Sequence, residues 1–183
     1  MDAHGTWSVE LELSAGDWRF FAGFQPAGHE MSMTLGNDAS VGGNYVPQPL
    51  PKIADHVELG QYTVSLEGAM FPGQASNLTL SVSKDGQPVT DLEPYLAAEG
   101  HLVALRVGDL GYLHVHPEGE TGDGKAAASP EIVFMAAAPS PGLYSLFLDF
   151  RHEGVVRTAE FTMHAQVQPQ TSEHTEHGHH GHH

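Results

Sequence analysis

Cysteine is absent from the 183 residues. That single absence removes disulfides, thiolate nucleophiles, Cys-ligated zinc, iron–sulfur clusters and the Cys-containing blue-copper centre. Positive charge is scarce as well: seven Lys and Arg stand against 23 Asp and Glu, a formal charge of −16. Arg19, Lys52, Lys84, Arg106, Lys125, Arg151 and Arg157 are scattered singly, so no basic patch exists to hold a phosphate backbone or an anionic headgroup. Nucleic acid is a poor partner, and the same negative field makes cations the leading partner class. Long apolar runs are missing too, every one being broken by Gly, Pro or a charge before 18 residues, short of a spanning helix. Met1-Asp2-Ala3-His4 has neither the basic start nor the apolar stretch of a signal peptide. The chain is therefore either cytoplasmic or the later part of an exported product, and the repeat described next favours the second, extracytoplasmic expectation.

What is present is punctuation. Twenty-one Gly and 12 Pro cut the chain into short segments, and within them apolar and polar residues alternate at period two, the pattern of an all-β protein. Thr6 to Leu13 alternates in this way, as do Tyr62 to Leu66 and Leu78 to Val82; the last runs into Lys84-Asp85-Gly86-Gln87, a strong hairpin signal. Further strands are expected at His101 to Val107, Gly111 to His116, Glu131 to Ala136, Gly142 to Arg151 and Val155 to Met163. No segment has a helical period; Asp91 to Gly100 alone tolerates a single helical turn, at Pro94 and stopped by Gly100. Seven short strands in about a hundred residues match an immunoglobulin-like antiparallel β-sandwich, placed at residues 61–165.

An internal repeat precedes it. Ser14 to Phe24 aligns without a gap on Ser140 to Phe150, and Gly28 then falls on Gly154. Residues 1–46 therefore read as a partial, three-strand copy of the same domain, unable to close a sandwich alone, and an oligomer built through it is one way to complete it. Residues 47–60, with Pro47-Gln48-Pro49-Leu50-Pro51, read as a stiff linker. Residues 166–183 are almost without apolar content and carry six of the 14 histidines, a composition expected to be disordered and to scavenge metal with little geometric selectivity, whether native or an appended tag.

The chemistry concentrates in the sandwich. His114-Val115-His116 sets two imidazoles two residues apart on one strand face, roughly 7 Å between Cα atoms, with Leu113 and Val115 turned to the core. A hairpin centred on Gly108-Asp109 would bring His116 opposite or near His101. Asp149 and His152, at the end of the Gly142 to Arg151 strand, are the candidates for a fourth ligand. Asp149 interrupts Leu146-Phe147-Leu148-Asp149-Phe150, where a carboxylate needs a cation or a donor. Three imidazoles and a carboxylate suit Cu²⁺ or Zn²⁺, with intrinsic affinity favouring copper. The alternative is a solvated face of ordinary histidines. Met31 and Met33 with His29 could offer soft ligands, but alternation with Leu35 reads better as core filling. No separate carboxylate stands as a general base and no nucleophile is activated, so a metal-dependent hydrolase ranks below a non-enzymatic binder.

Asp91-Leu92-Glu93-Pro94-Tyr95-Leu96, then Gly100 to Arg106 and Tyr112-Leu113-His114-Val115-His116-Pro117, resemble a family of bacterial extracytoplasmic proteins, frequent in actinobacteria. These carry tandem immunoglobulin-like domains and are described as secreted or heavy-metal-associated. The resemblance covers most of residues 6 to 163 and implies export or membrane anchoring. A weaker similarity of architecture is to the small copper carriers of the CopC and YtkA type, whose amino-terminal ligand pattern is not matched. Two expectations follow: a protein that buffers copper or zinc or delivers it to a metal-accepting partner, or a structural, adhesive module with incidental histidines.

Overall fold

The computed structural model describes residues 2–29, 31, 33–96, 98–113, 115–117 and 129–167, with the backbone alone of His116. His114 and the His-rich tail lie outside the described residues. The described chain is all strand, turn and loop, so no helix among the described residues is long and apolar enough to cross a membrane. Among the described residues between Asp91 and Gly100, where the sequence tolerates one helical turn, none is helical. Tyr95 and Ala98 instead exchange backbone hydrogen bonds around Leu96, which has a φ of 53°.

Two compact units divide the chain near Pro49. The first holds one antiparallel hairpin, β1 (Gly16–Phe24) with β2 (Met33–Val41). Its two faces differ in chemistry. One carries the Arg19–Asp38 ion pair at 3.3 Å and the Ser40 hydroxyl donating to Asp17 at 2.6 Å. The other carries Trp18, Phe20, Ala22 and Phe24 opposite Ala39, Asn37, Leu35 and Met33. The third strand expected at Thr6 to Leu13 does not form: Trp7 is 79% and Val9 77% exposed, and no strand among the described residues pairs with the segment. Alternation fixes which face a residue takes, but a strand also needs a neighbour for its N–H and C=O groups. Met33 and Leu35, expected as core filling, are half exposed.

The second unit is a pair of antiparallel sheets enclosing one core. Its strands are β3 (His56–Leu59), β4 (Tyr62–Gly68), β5 (Ala75–Lys84), β6 (Gln87–Pro88), β7 (Gly100–Arg106), β8 (Tyr112–Leu113), β9 (His116–Pro117), β10 (Glu131–Ala137), β11 (Gly142–His152) and β12 (Val155–Ala165). One sheet runs β3-β4-β5-β10-β9, with β6 on the end of β5; the other runs β12-β11-β7-β8. Alternate residues face inward. Tyr62, Val64, Leu66, Leu78, Leu80, Val82, Ile132 and Phe134 from the first sheet share a single buried cluster with Leu102, Ala104, Tyr144, Leu146, Leu148, Phe150 and Phe161 from the second. Each such large side chain contributes about 1.5–3 kcal/mol by leaving water.

β3 lies inside the stretch expected as linker, so the sandwich starts at His56. Two tight turns form where dipeptides ending in Gly stand: Asp85-Gly86 and Glu153-Gly154 both have positive φ at each residue, at 50° and 76°, and 53° and 72°. This is the two-residue turn whose twist matches the strands it joins. The start of β11 is tied down by Tyr144, fully buried, whose hydroxyl donates to the Ser140 carbonyl at 2.9 Å. Tyr144→Phe removes that bond without changing shape. It is expected to cost about 1 kcal/mol, read as a fall of several degrees in melting temperature; an unchanged melting temperature would show that the bond contributes nothing net.

Candidate metal centre

β11 lies between β12 and β7, and its side chains divide by parity. Leu148 and Phe150 enter the core, so Asp149 stands on the outer face. The register of β11 with β7 sets Asp149 directly opposite His101, itself between the buried Gly100 and Leu102 and therefore on the same outer face. Across the other edge Asp149 faces Thr158, whose hydroxyl donates to the carboxylate at 2.6 Å. His101 and Asp149 thus form a cross-strand imidazole–carboxylate pair, both half buried, at the spacing of direct neighbours on one sheet face. No described residue hydrogen-bonds to the His101 ring.

His152 stands elsewhere. Three residues beyond Asp149 it has the opposite parity, is 7% exposed, and has both ring nitrogens occupied. Nδ1 lies 2.9 Å from the Tyr62 hydroxyl and Nε2 3.2 Å from an Asp91 carboxylate oxygen. It shares no face with His101 and Asp149, so of the two candidates for a fourth ligand only Asp149 is placed beside His101.

Around His152 the ends of several strands are fastened together. The Arg157 guanidinium lies 4.2 Å over the Tyr62 ring and donates to the carbonyls of His152 and Val155. Lys84 pairs with Glu153 at 2.6 Å, an exposed contact that lowers the Glu153 pKa and raises that of Lys84. Glu93 takes Arg151 at 2.9 Å and accepts from the Gly154 N–H at 2.7 Å. Tyr62 and Asp91 were not singled out from sequence. The available signal was parity, since an inward His at a strand end needs polar partners.

The histidine pair expected on one long strand departs from that expectation. Ala104 pairs with Leu113 and Leu105 with Tyr112, a register that, if continued, would set His116 opposite His101. The ladder ends at Leu113 instead, and His116-Pro117 pairs with Met135 and Phe134 in the other sheet. The segment that crosses between the sheets includes His114, outside the described residues, and Val115, packed against the core cluster. β9 still runs within 8 Å of β7, Cα to Cα. Among the described residues no group of three or more His, Asp or Glu side chains gathers to hold an ion. What the register places is His101 opposite Asp149 on one sheet face, without a hydrogen bond or an ion pair between them.

The turn feeding β8 is held from below. Arg106 grips the Asp109 carboxylate with both Nε, at 2.9 Å, and a terminal nitrogen, and reaches the Ser140 hydroxyl at 2.7 Å. This guanidinium holds the Asp109 carboxyl well below the usual carboxylate range, helped by the Gly111 N–H.

A family model described as a domain of unknown function (DUF8832) matches residues 56–167. The chain belongs to the DUF8832 family. The matched span opens on the first residue of β3 and closes two residues past β12, so the DUF8832 domain and the two-sheet unit coincide, with His101, Asp149 and His152 inside it. No curated protein and no solved structure matches the chain.

Two outcomes check this geometry. Tyr62→Phe leaves a buried nitrogen of His152 without its partner, at a cost of about 1–3 kcal/mol in urea unfolding; an unchanged midpoint would mean the pair is immaterial. Asp109 ionises in the unfolded chain at about pH 4 and lower when folded. Its contribution is thus complete above that pH and lost as pH falls toward the folded value. The melting-temperature gap between the wild type and Asp109→Asn should be open at pH 7 and should narrow steadily below pH 4.

Proposed function

We propose that this DUF8832 protein is a non-enzymatic metal binder, for Cu²⁺ first and Zn²⁺ next, that buffers the ion or hands it to an accepting protein outside the cytoplasm. The observation that carries the reading is the His101–Asp149 pair. An imidazole free of described hydrogen-bond partners stands directly opposite a carboxylate, on a sheet face backed by a packed core. Rigid backing lowers the ordering cost of binding, and Thr158 steadies one carboxylate oxygen from outside. His114 and His116 are the residues we assign to complete the shell, because β9, which opens on His116, runs within 8 Å of β7, Cα to Cα. The charge of −16 draws cations toward the surface. The histidines of the tail add capacity and no geometry, consistent with a feeder role. Immunoglobulin-like ancestry and tandem arrangement belong to the same proposal.

A second reading, a structural or adhesive module, is favoured by the half-exposed apolar face of the β1–β2 hairpin. The two readings part on metal. A chain ending at Val167 should bind one Cu²⁺ by calorimetry, with affinity falling as pH drops through about 6.5, where neutral imidazole is lost. His101→Ala and Asp149→Asn should each weaken binding about tenfold or more, about 1.4 kcal/mol. If the tail-less protein shows no binding, or both variants bind as the wild type does, the metal reading fails and the module reading stands.

A further inference from the structure

His29, Met31 and Met33 recur at every second residue between the end of β1 and the first residue of β2. The competing role for the two methionines was apolar filling, and their surroundings exclude it: Met31 is 78% and Met33 47% exposed. The other described methionines are placed differently. Met70 is sealed in the core, Met163 packs against it, and Met135 is the sole methionine of β10. With no cysteine in the chain, thioethers are its only strongly soft donors. Two of them share five consecutive residues with an imidazole.

The backbone that carries these donors is held at both ends. Gly28, at a φ of 80°, belongs to a turn in which the His29 N–H donates to the Pro26 carbonyl at 3.1 Å. The Gln25 side-chain amide donates to the His29 carbonyl at 2.9 Å, and Met33 is fixed opposite Phe24 as the last pair of the hairpin. The His29 ring lies with Nδ1 3.4 Å from the Ala27 carbonyl. A carbonyl can only accept, so this contact puts the ring proton on Nδ1 and leaves the Nε2 lone pair for a ligand. A backbone carbonyl behind the ring is also a common orienting partner of a metal-bound imidazole. Cα atoms two residues apart are separated by at most about 7 Å. The unbranched methionine side chain, with three rotatable bonds, lets both sulfurs swing to one point beside Nε2. No Lys or Arg occurs between Arg19 and Lys52, so this stretch has no positive side chain of its own to repel a cation.

We propose that His29, Met31 and Met33 form a binding site for a soft monovalent cation, Cu⁺, with two thioether sulfurs and the His29 Nε2 as ligands. Thioether sulfur selects Cu⁺. Zn²⁺, which takes thiolate, imidazole and carboxylate, gains nothing from it. None of the three ligands lies in the DUF8832 domain, so the site stands or falls independently of the His101–Asp149 reading.

The test uses the full chain, isotope-labelled at the methionine methyl groups and titrated by NMR with Cu⁺ kept reduced by ascorbate under argon. The Met31 and Met33 methyl signals should shift together, with one midpoint, and Zn²⁺ should move neither. Met135, as exposed as Met33 at 47%, is the internal control for a solitary thioether and should lag far behind. Met31→Leu and, separately, Met33→Leu should weaken the response of the remaining sulfur at least tenfold, and His29→Ala should weaken both. These methyl signals report on residues 29–33 alone, so they answer whether or not the sandwich or the tail also takes copper. The proposal is overturned if neither signal moves with Cu⁺ in excess over all 14 histidines, or if the two move with separate midpoints. A response matched by Met135 or by Zn²⁺, or one indifferent to the three substitutions, overturns it as well.

Discussion

The side-to-side alternation of β11 is the constraint on which the rest of the second unit depends. This strand is, with β12, the longest among the described residues, lies between β12 and β7, and sends Tyr144, Leu146, Leu148 and Phe150 into the core. Because four large inward side chains hold it against slipping, the residues between them are fixed outward with equal firmness. Asp149 is outward for that reason, and pairing with β7 then leaves it no neighbour on that side but His101. The same alternation turns His152 inward, where Tyr62 and Asp91 satisfy it.

The crossing of the chain from β8 to β9 is the second determinant. Leu113 ends in one sheet, His116 begins in the other, and Val115 between them packs against the common core. Pro117 cannot donate to a ladder and stands on β9, the edge of its sheet, where a missing donor is least costly. A segment pinned at its centre by an apolar residue and at both ends by different sheets has little freedom.

Most strands were legible because burial on one face writes period two directly into the sequence, and because Asp85-Gly86 announces its turn. The failures have a common cause: alternation says which side a residue takes and nothing about who pairs with it. Thr6 to Leu13 has the pattern without a neighbour, whereas His56–Leu59 is short, follows a proline-rich stretch, and is a strand because β4 lies beside it. The expected pairing of His116 opposite His101 extended a correct register past the point where the ladder ends. Asp149 beside His101 was within reach of arithmetic on strand pairing, but the inward turn of His152 was missed although its separation of three from Asp149 contains it.

Strand parity also has a consequence for how this domain can vary. Substitution along β11 trades one side chain for another at a fixed place, but one added or lost residue before Asp149 rotates everything beyond it by half a turn. Phe150 would then meet solvent, Asp149 would meet hydrocarbon, and the pair with His101 would vanish though both residues remained in the chain. The spacing from Gly142 to His152 is therefore held more tightly than its composition, and drift in length has to be absorbed outside it.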